Sequence, residues 1–245
     1  MQFKKMPQSP FRKRSSIIAE QIVKQIRNNE YRPGMKLPPE RLIAEQTGVS
    51  RPSVREAISA LQIVGIVESH PGDGTYVCEK IGVEDLSHQA LEVLEKNESP
   101  LELLQARKAL EIGAARMVIR MADTTDLQKI RQAWNKKQKE GLRGNYDAYL
   151  KYASEFHIAI AEATGNRLIV RMTENLLQAT QQPLWQSMRR TYYTADPVRI
   201  REMLAVHDRI VEAIETRKTD LVIQSIEEHF DILIQRTYNL SENST

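Results

Sequence analysis

Three histidines in the second half of the chain carry its most demanding chemistry. His157 is followed at three and four residues by Ile160 and Ala161, His207 by Ile210 and Val211, and His229 by Ile232 and Leu233. Those offsets set each imidazole above the apolar stripe of its own helix. One imidazole so placed is satisfied by a single hydrogen bond in a core. Three of them on three helices of one bundle need partners together, and a shared divalent cation supplies all three. Three neutral imidazoles suit Zn²⁺. No two share a helix, so spacing alone leaves both readings open.

Arg107 is the second unusual placement. Leu103, Leu104 and Leu110 put it on the buried face of its helix, and a buried guanidinium needs an anion. Glu111, one turn on, is an anion within the chain that makes a structural pair, and a functional anion from outside is the alternative. A different chemistry sits near the start. Arg51, Ser53 and Arg55 occupy the exposed N-terminal end of a helix beginning at Ser50. There an Arg offers a fork to guanine and a Ser bonds a base or a phosphate. An ordinary solvated helix start is the plain alternative.

These side chains need elements to hold them. Residues 1–14 are basic, contain two prolines and lack periodicity, which predicts a flexible tail. Ile18, Ile22, Val23 and Ile26 form the stripe of a first helix, broken by Tyr31-Arg32-Pro33-Gly34. A second helix starts at Pro38-Pro39-Glu40 and stops at Gly48. Ser50 caps a third that turns Val54, Ile58 and Leu61 inward. Two helices joined by a tight glycine turn form a helix-turn-helix. Ile66–Ser69 and Thr75–Val77, around His70-Pro71-Gly72-Asp73-Gly74, predict a hairpin. Gly72 and Gly74 let its tip pass close to a sugar-phosphate chain, whereas His70 reads as a turn residue.

Beyond residue 82 no strand pattern appears. Seven helices are expected, at about 83–96, 100–121, 125–140, 146–164, 167–190, 197–217 and 219–240. Capping boxes at Ser99–Glu102 and Thr125–Gln128, and Asp196-Pro197 in the same style, mark three of the starts. Short connections make neighbours antiparallel. The expected fold class is therefore mainly α: a winged helix-turn-helix domain over residues 15–80, then an all-α antiparallel bundle over 83–240.

Composition narrows the function. The chain has 245 residues, 41% apolar and 27% charged, a mixture that excludes wholesale disorder. A lone cysteine, Cys78, excludes a disulfide framework and any Cys-rich zinc module. No apolar run approaches the roughly 20 residues of a membrane span, and the start MQFKKMPQSPFRKR has no hydrophobic signal core. A cytoplasmic protein with no membrane partner is expected. Residues 1–80 carry 13 Lys+Arg against 8 Asp+Glu, and the remainder 22 against 24, so all of the basic excess lies in the first third. That asymmetry predicts a polyanion-binding head on a nearly neutral body.

The head also resembles a known family. Tyr31-Arg32-Pro33-Gly34, Leu37-Pro38-Pro39-Glu40-Arg41, Val49-Ser50-Arg51-Pro52-Ser53-Val54-Arg55-Glu56-Ala57 and Gly72-Asp73-Gly74-Thr75-Tyr76-Val77 are similar to the winged-helix domain of GntR-type transcription regulators. The resemblance implies that Arg41, Arg51, Ser53 and Arg55 contact DNA, with Gly72 at the wing. The helical part resembles the FCD-type effector-binding domain of the FadR-like branch. Phe156-His157 followed by Ala161-Glu162-Ala163-Thr164-Gly165-Asn166 is similar to the segment bearing that branch's first metal-binding histidine, and His207 and His229 fall where the second and third would. An Asp one turn before the first histidine completes the family's site; here Ala153 stands there, and Glu155 and Asp147 are wrongly phased to replace it. Either three imidazoles hold the metal with water or an effector carboxylate in the gap, or the site is metal-free. The resemblance also implies that Arg107 grips the effector carboxylate.

The expected function is that of a homodimeric regulator, a repressor by family habit. It would read an inverted-repeat operator in double-stranded DNA and respond to a small carboxylate effector. Two rivals are weighed with it. A metal-dependent hydrolase on the three histidines needs a general base that no motif supplies, although Glu155 and Glu162 are available. A non-specific architectural DNA binder would depend on salt but not on sequence.

Overall fold

The computed structural model describes Phe3 and residues 13–70, 72–78, 83–194 and 198–237. Its elements are α1 (Arg14–Arg27), α2 (Glu40–Thr47), α3 (Arg51–Ile63), β1 (Val67–His70), β2 (Gly74–Val77), α4 (Val83–Lys96), α5 (Pro100–Met121), α6 (Thr124–Leu142), α7 (Tyr146–Glu162), α8 (Arg167–Ala179), α9 (Pro183–Thr194), α10 (Val198–Glu215) and α11 (Thr219–Thr237). The protein is mainly α, as its periodicity predicts. Two compact units result: Met1–Pro100 with Gln182–Arg189, and Leu101–Gln181 with Arg190–Thr245.

In the first unit α1 buries Ile18, Ile22, Val23 and Ile26, packing on α3. α2 stops at Gly48, whose φ of 71° lies in the left-handed region that a side chain would resist. Two residues later the Ser50 hydroxyl accepts the Ser53 amide and starts α3. The hairpin pairs Val67 with Val77 through His70 with Gly74. Asp73 N–H donates to His70 O at 3.1 Å, closing the tip, with Gly72 at φ 79°; Pro71 lies outside the described residues. An edge that the sequence reading lacked is also present. Leu37 N–H donates to Thr75 O and Val77 N–H to Met35 O, so residues 35–37 brace the wing. α4 packs on α1 and α3, and Lys13 Nζ caps its end through the carbonyls of Leu94 and Asn97.

In the second unit α6 pairs with α7 and α10 with α11, while α10 also lies on α6. Gly141 permits that approach: a Cβ there would come within 3.1 Å of Leu204 on α10 and Tyr149 on α7. Arg217 fixes α5 by donating to the carbonyls of Val118, Ile119 and Ala122 at the end of that helix.

Two helix starts differ from expectation, and one expected cap has another partner. The helix expected over 167–190 is two, because Pro183 lacks an N–H and disfavours helical backbone at Gln182, so the chain breaks and restarts as α9. The Thr180 hydroxyl bonds Leu177 O at the break. α6 begins one residue early, at Thr124, with Asp123 and Asp126 forming the capping box in place of Thr125 and Gln128. The Ser99 hydroxyl donates to Glu56 Oε1 at 2.7 Å. Asp196-Pro197 and most of the expected tail lie outside the described residues.

Candidate functional site

α7, α10 and α11 bring His157, His207 and His229 together. Their candidate ligand atoms lie within 4.8 Å of one another, and all three side chains are buried. His207 Nδ1 is 2.7 Å from Met203 O, one turn back on its own helix. A carbonyl only accepts, so Nδ1 bears the proton and Nε2 keeps its lone pair. That Nε2 is buried with no hydrogen-bond partner. His229 repeats the pattern, with Nδ1 2.9 Å from Met203 Sδ and a buried, unpartnered Nε2. His157 Nδ1 lies 2.9 Å from Glu111 Oε2, a close carboxylate–imidazole contact that lacks the alignment of a hydrogen bond.

Electrostatics keeps the rings neutral. Burial, and then the Lys137 ammonium and the other two imidazoles, drive His207 well below the usual imidazole range. Burial followed by His157 does the same to His229. His157 is lowered too, again by burial, against the pull of Glu111. Neutral rings with free lone pairs are the form that binds a cation. The donor set therefore fits a divalent metal such as Zn²⁺, with three imidazoles and no fourth protein ligand at Ala153. Glu155 instead lies 3.7 Å from Lys136, and Asp147 is exposed.

Arg107 is buried, as its register predicts, and its guanidinium finds the internal anion. Nε and Nη2 reach Glu111 Oε1 at 3.2 and 2.8 Å. Burial by itself would raise the Glu111 carboxyl; His157 and Arg107 beside it more than reverse that and hold it far below the ordinary carboxylate range. The sequence reading missed Lys137. It is 1% exposed, with Nζ over the rings of Tyr149 and Phe156 at 5.5 and 5.3 Å from their centroids. The signal was available. Ile130, Ala133, Trp134 and Gly141 are the buried positions of α6, and Lys137 falls in the same register.

The head residues have separate fates. Arg41 is exposed, 2.5 Å from Glu45 in an i,i+4 pair. Arg51 opens α3 half-buried, and its Nε has no hydrogen-bond partner. The Ser53 hydroxyl is 2.9 Å from that of Ser50. Arg55 is less open than expected. Both arms of its fork go to the Glu40 carboxylate on α2, and its side chain is only 17% exposed. At the wing, Gly72 is exposed beside Asp73, which receives Lys36 Nζ at 2.7 Å and Tyr76 Oη at 2.6 Å. His70, expected as a turn residue, instead ends β1 on the surface, paired with Gly74 and near Glu68.

Known proteins share both parts of the chain. The family profile "Bacterial regulatory proteins, gntR family" matches residues 14–77, and "FCD domain" matches residues 102–232. The Uxu operon transcriptional regulator of Escherichia coli K12 is 31% identical over 96% of this chain and 89% of its own length. The HTH-type transcriptional regulator LutR of Bacillus subtilis 168 is 32% identical over 77% of this chain and 85% of its own. A solved structure of Lar, which controls the agr system of Listeria monocytogenes, shares the fold at 18% identity with a TM-score of 0.51. It covers 95% of this chain and all of that one.

Proposed function

This chain belongs to the GntR family of DNA-binding transcription regulators, with an FCD domain behind its winged helix, and from that membership we propose that a small organic acid held in the helical unit sets its operator affinity. It is a regulator and not an enzyme, as its families and relatives are. In our reading α3 enters the major groove with Arg51 and Ser53 toward base edges. Arg41 and Arg55 serve beside them, and the Gly72 tip lies along the backbone. Repression relieved by the acid is the mode we favour. No helix among the described residues is long and apolar enough to cross a membrane, and we place the protein with its DNA in the cytoplasm.

One observation carries the effector reading: the buried Nε2 atoms of His207 and His229 have no hydrogen-bond partner among the described residues. Leaving such groups unsatisfied is costly, so a ligand or ion that reaches them is strongly favoured. His157, His207 and His229 would hold a divalent metal, Zn²⁺ by preference, which when bound offers an open position to an effector oxygen. Glu111, paired with Arg107, lies against His157 of that cluster. The acid must prefer one arrangement of the DNA-bound dimer by about 1–3 kcal/mol to act as a switch. The test is operator binding followed by anisotropy against sugar acids, hydroxy acids and dicarboxylates, with and without divalent cations. A fall in affinity with one acid supports the reading; an operator affinity indifferent to the whole panel ends it. His207→Ala should lose the metal that elemental analysis finds in the wild type, and a wild type that takes up none is a metal-free sensor.

A homodimer completes the proposal, and α8 supports it. Leu168 and Met172 are 59% and 54% exposed on one face of that helix, with Ile169 and Leu176 half-buried beside them. A second copy covering this ridge would remove it from water. Met172→Glu should then shift sedimentation toward the monomer at micromolar concentration. An unchanged dimer would exclude α8 as the interface.

A further inference from the structure

Arg107 and Glu111 answer each other inside the second unit, but Lys137 on α6 answers to no carboxylate. Its side chain is 1% exposed, and among the described residues its Nζ makes neither a hydrogen bond nor an ion pair. A lysine on a core register ordinarily threads its ammonium out to water. This one does not. The faces of Tyr149 and Phe156 attract it, yet ring faces return less than burial of a charge removes. Burial first, and Arg107 second, push its ammonium well below the usual range, with only Glu111 opposing.

The position of this amine links it to the histidine cluster. The Phe156 ring beneath it lies 5.4 Å from the rings of both His157 and His207. Trp134, one turn earlier on α6, stacks on His207 at 6.0 Å. One aromatic wall therefore carries the unpaired amine and the imidazoles together. Arg107, the other buried cation, already has Glu111 at 2.8 Å, and that carboxylate repels a second one brought to the same fork. A ligand carboxylate entering this core gains most at the cation that has no anion of its own.

We propose that Lys137 is a carboxylate-reading residue of the effector pocket, the acid setting its carboxylate against Nζ while a second oxygen, a hydroxyl or another carboxylate, faces the histidine cluster. The assignment rests on the reading of this core as an effector pocket. The second oxygen follows from the imidazoles: an unpartnered Nε2 accepts a hydrogen bond from a hydroxyl, and a metal held there takes an oxygen ligand. Simple monocarboxylates without a hydroxyl satisfy only one end.

The experiment uses the full chain with L-lactate, L-malate, D-gluconate and propionate as probes, reading thermal shift and operator release together. Wild type should be stabilised by at least one of the first three and less by propionate. Lys137→Met keeps the volume and removes the charge. It should weaken that probe about 10- to 100-fold, the worth of a hydrogen bond to a charged group, while the ligand-free protein melts at or above the wild-type temperature. If Lys137→Met does not fold, Lys137→Gln carries the same comparison. A probe that binds the variant within about threefold of wild type overturns the assignment. Operator release by that probe in both proteins would leave the effector reading standing without Lys137. No response of wild type to any probe, in melting or in operator release, would remove the pocket reading itself, and Lys137 with it.

Discussion

Replacing Glu111 with alanine should cost the protein about 3–5 kcal/mol, the usual penalty for leaving a buried charge without its partner. The carboxylate stands between two groups, 2.8 Å from the Arg107 guanidinium and 2.9 Å from His157 Nδ1. Without it, Arg107 and Lys137 share an interior that holds no carboxylate among its described buried residues. Arg107→Ala removes the other partner and strands Glu111, so it should cost a similar amount. Loss of effector response in that variant would therefore arrive together with a loosened core. Arg107→Met combined with Glu111→Leu is the informative control, because apolar replacement of both members of a buried pair is often neutral. Urea unfolding should show a large fall in midpoint for each single variant and recovery in the double. A single-variant loss below about 1 kcal/mol would mean that the pair is solvated and of the weak surface kind.

The acid dependence of that contribution has a definite sign. Glu111 is held below its unfolded value of about 4.3, so its stabilisation is complete above that range. It disappears only as pH falls through the much lower folded value. The buried histidines act earlier. All three are lowered in the fold, so the unfolded chain takes up their protons first. Stability therefore begins to fall as pH drops below about 6.5, the unfolded imidazole value.

How far the site could be read from sequence depends on the distance over which each interaction acts. His157, His207 and His229 were visible because each sits a fixed number of residues from apolar neighbours on its own helix. Their meeting at 4.8 Å depends on helix packing that no local offset contains. Arg107 and Glu111 are one turn apart, so the pair was open to inspection, and packing decided which anion the guanidinium meets. Lys137 was passed over because a lysine reads as solvated surface, although the register through Ile130, Trp134 and Gly141 crosses it. Arg55 and Glu40 belong to different helices, 15 residues apart, and no periodicity joins them. The edge at residues 35–37 escaped for the same reason: it is too short to alternate and pairs with residues far along the chain.

The Arg55–Glu40 contact sets the second prediction. Arg51→Ala should weaken operator binding by about 1–3 kcal/mol, the worth of one bidentate base contact, with melting nearly unchanged because Arg51 Nε has no partner to lose. Arg55→Ala should lower both quantities. Its fork ties α3 to Glu40 on α2, so truncation loosens the helix pair that presents Arg51 and leaves a half-buried carboxylate alone. Glu40→Gln separates these effects, since it weakens the tie and frees the guanidinium to turn outward. If Arg55 serves DNA through the tie, Glu40→Gln reduces affinity; if it contacts DNA itself, affinity rises or holds. Arg41, exposed and able to leave Glu45, should behave as a phosphate contact. Its loss should lower affinity evenly across operator sequences and reduce the salt slope by about one ion. Sequence preference is therefore the deciding measurement. An Arg51→Ala protein that still distinguishes operator from random duplex by the wild-type ratio would move base reading away from the start of α3, whatever its affinity.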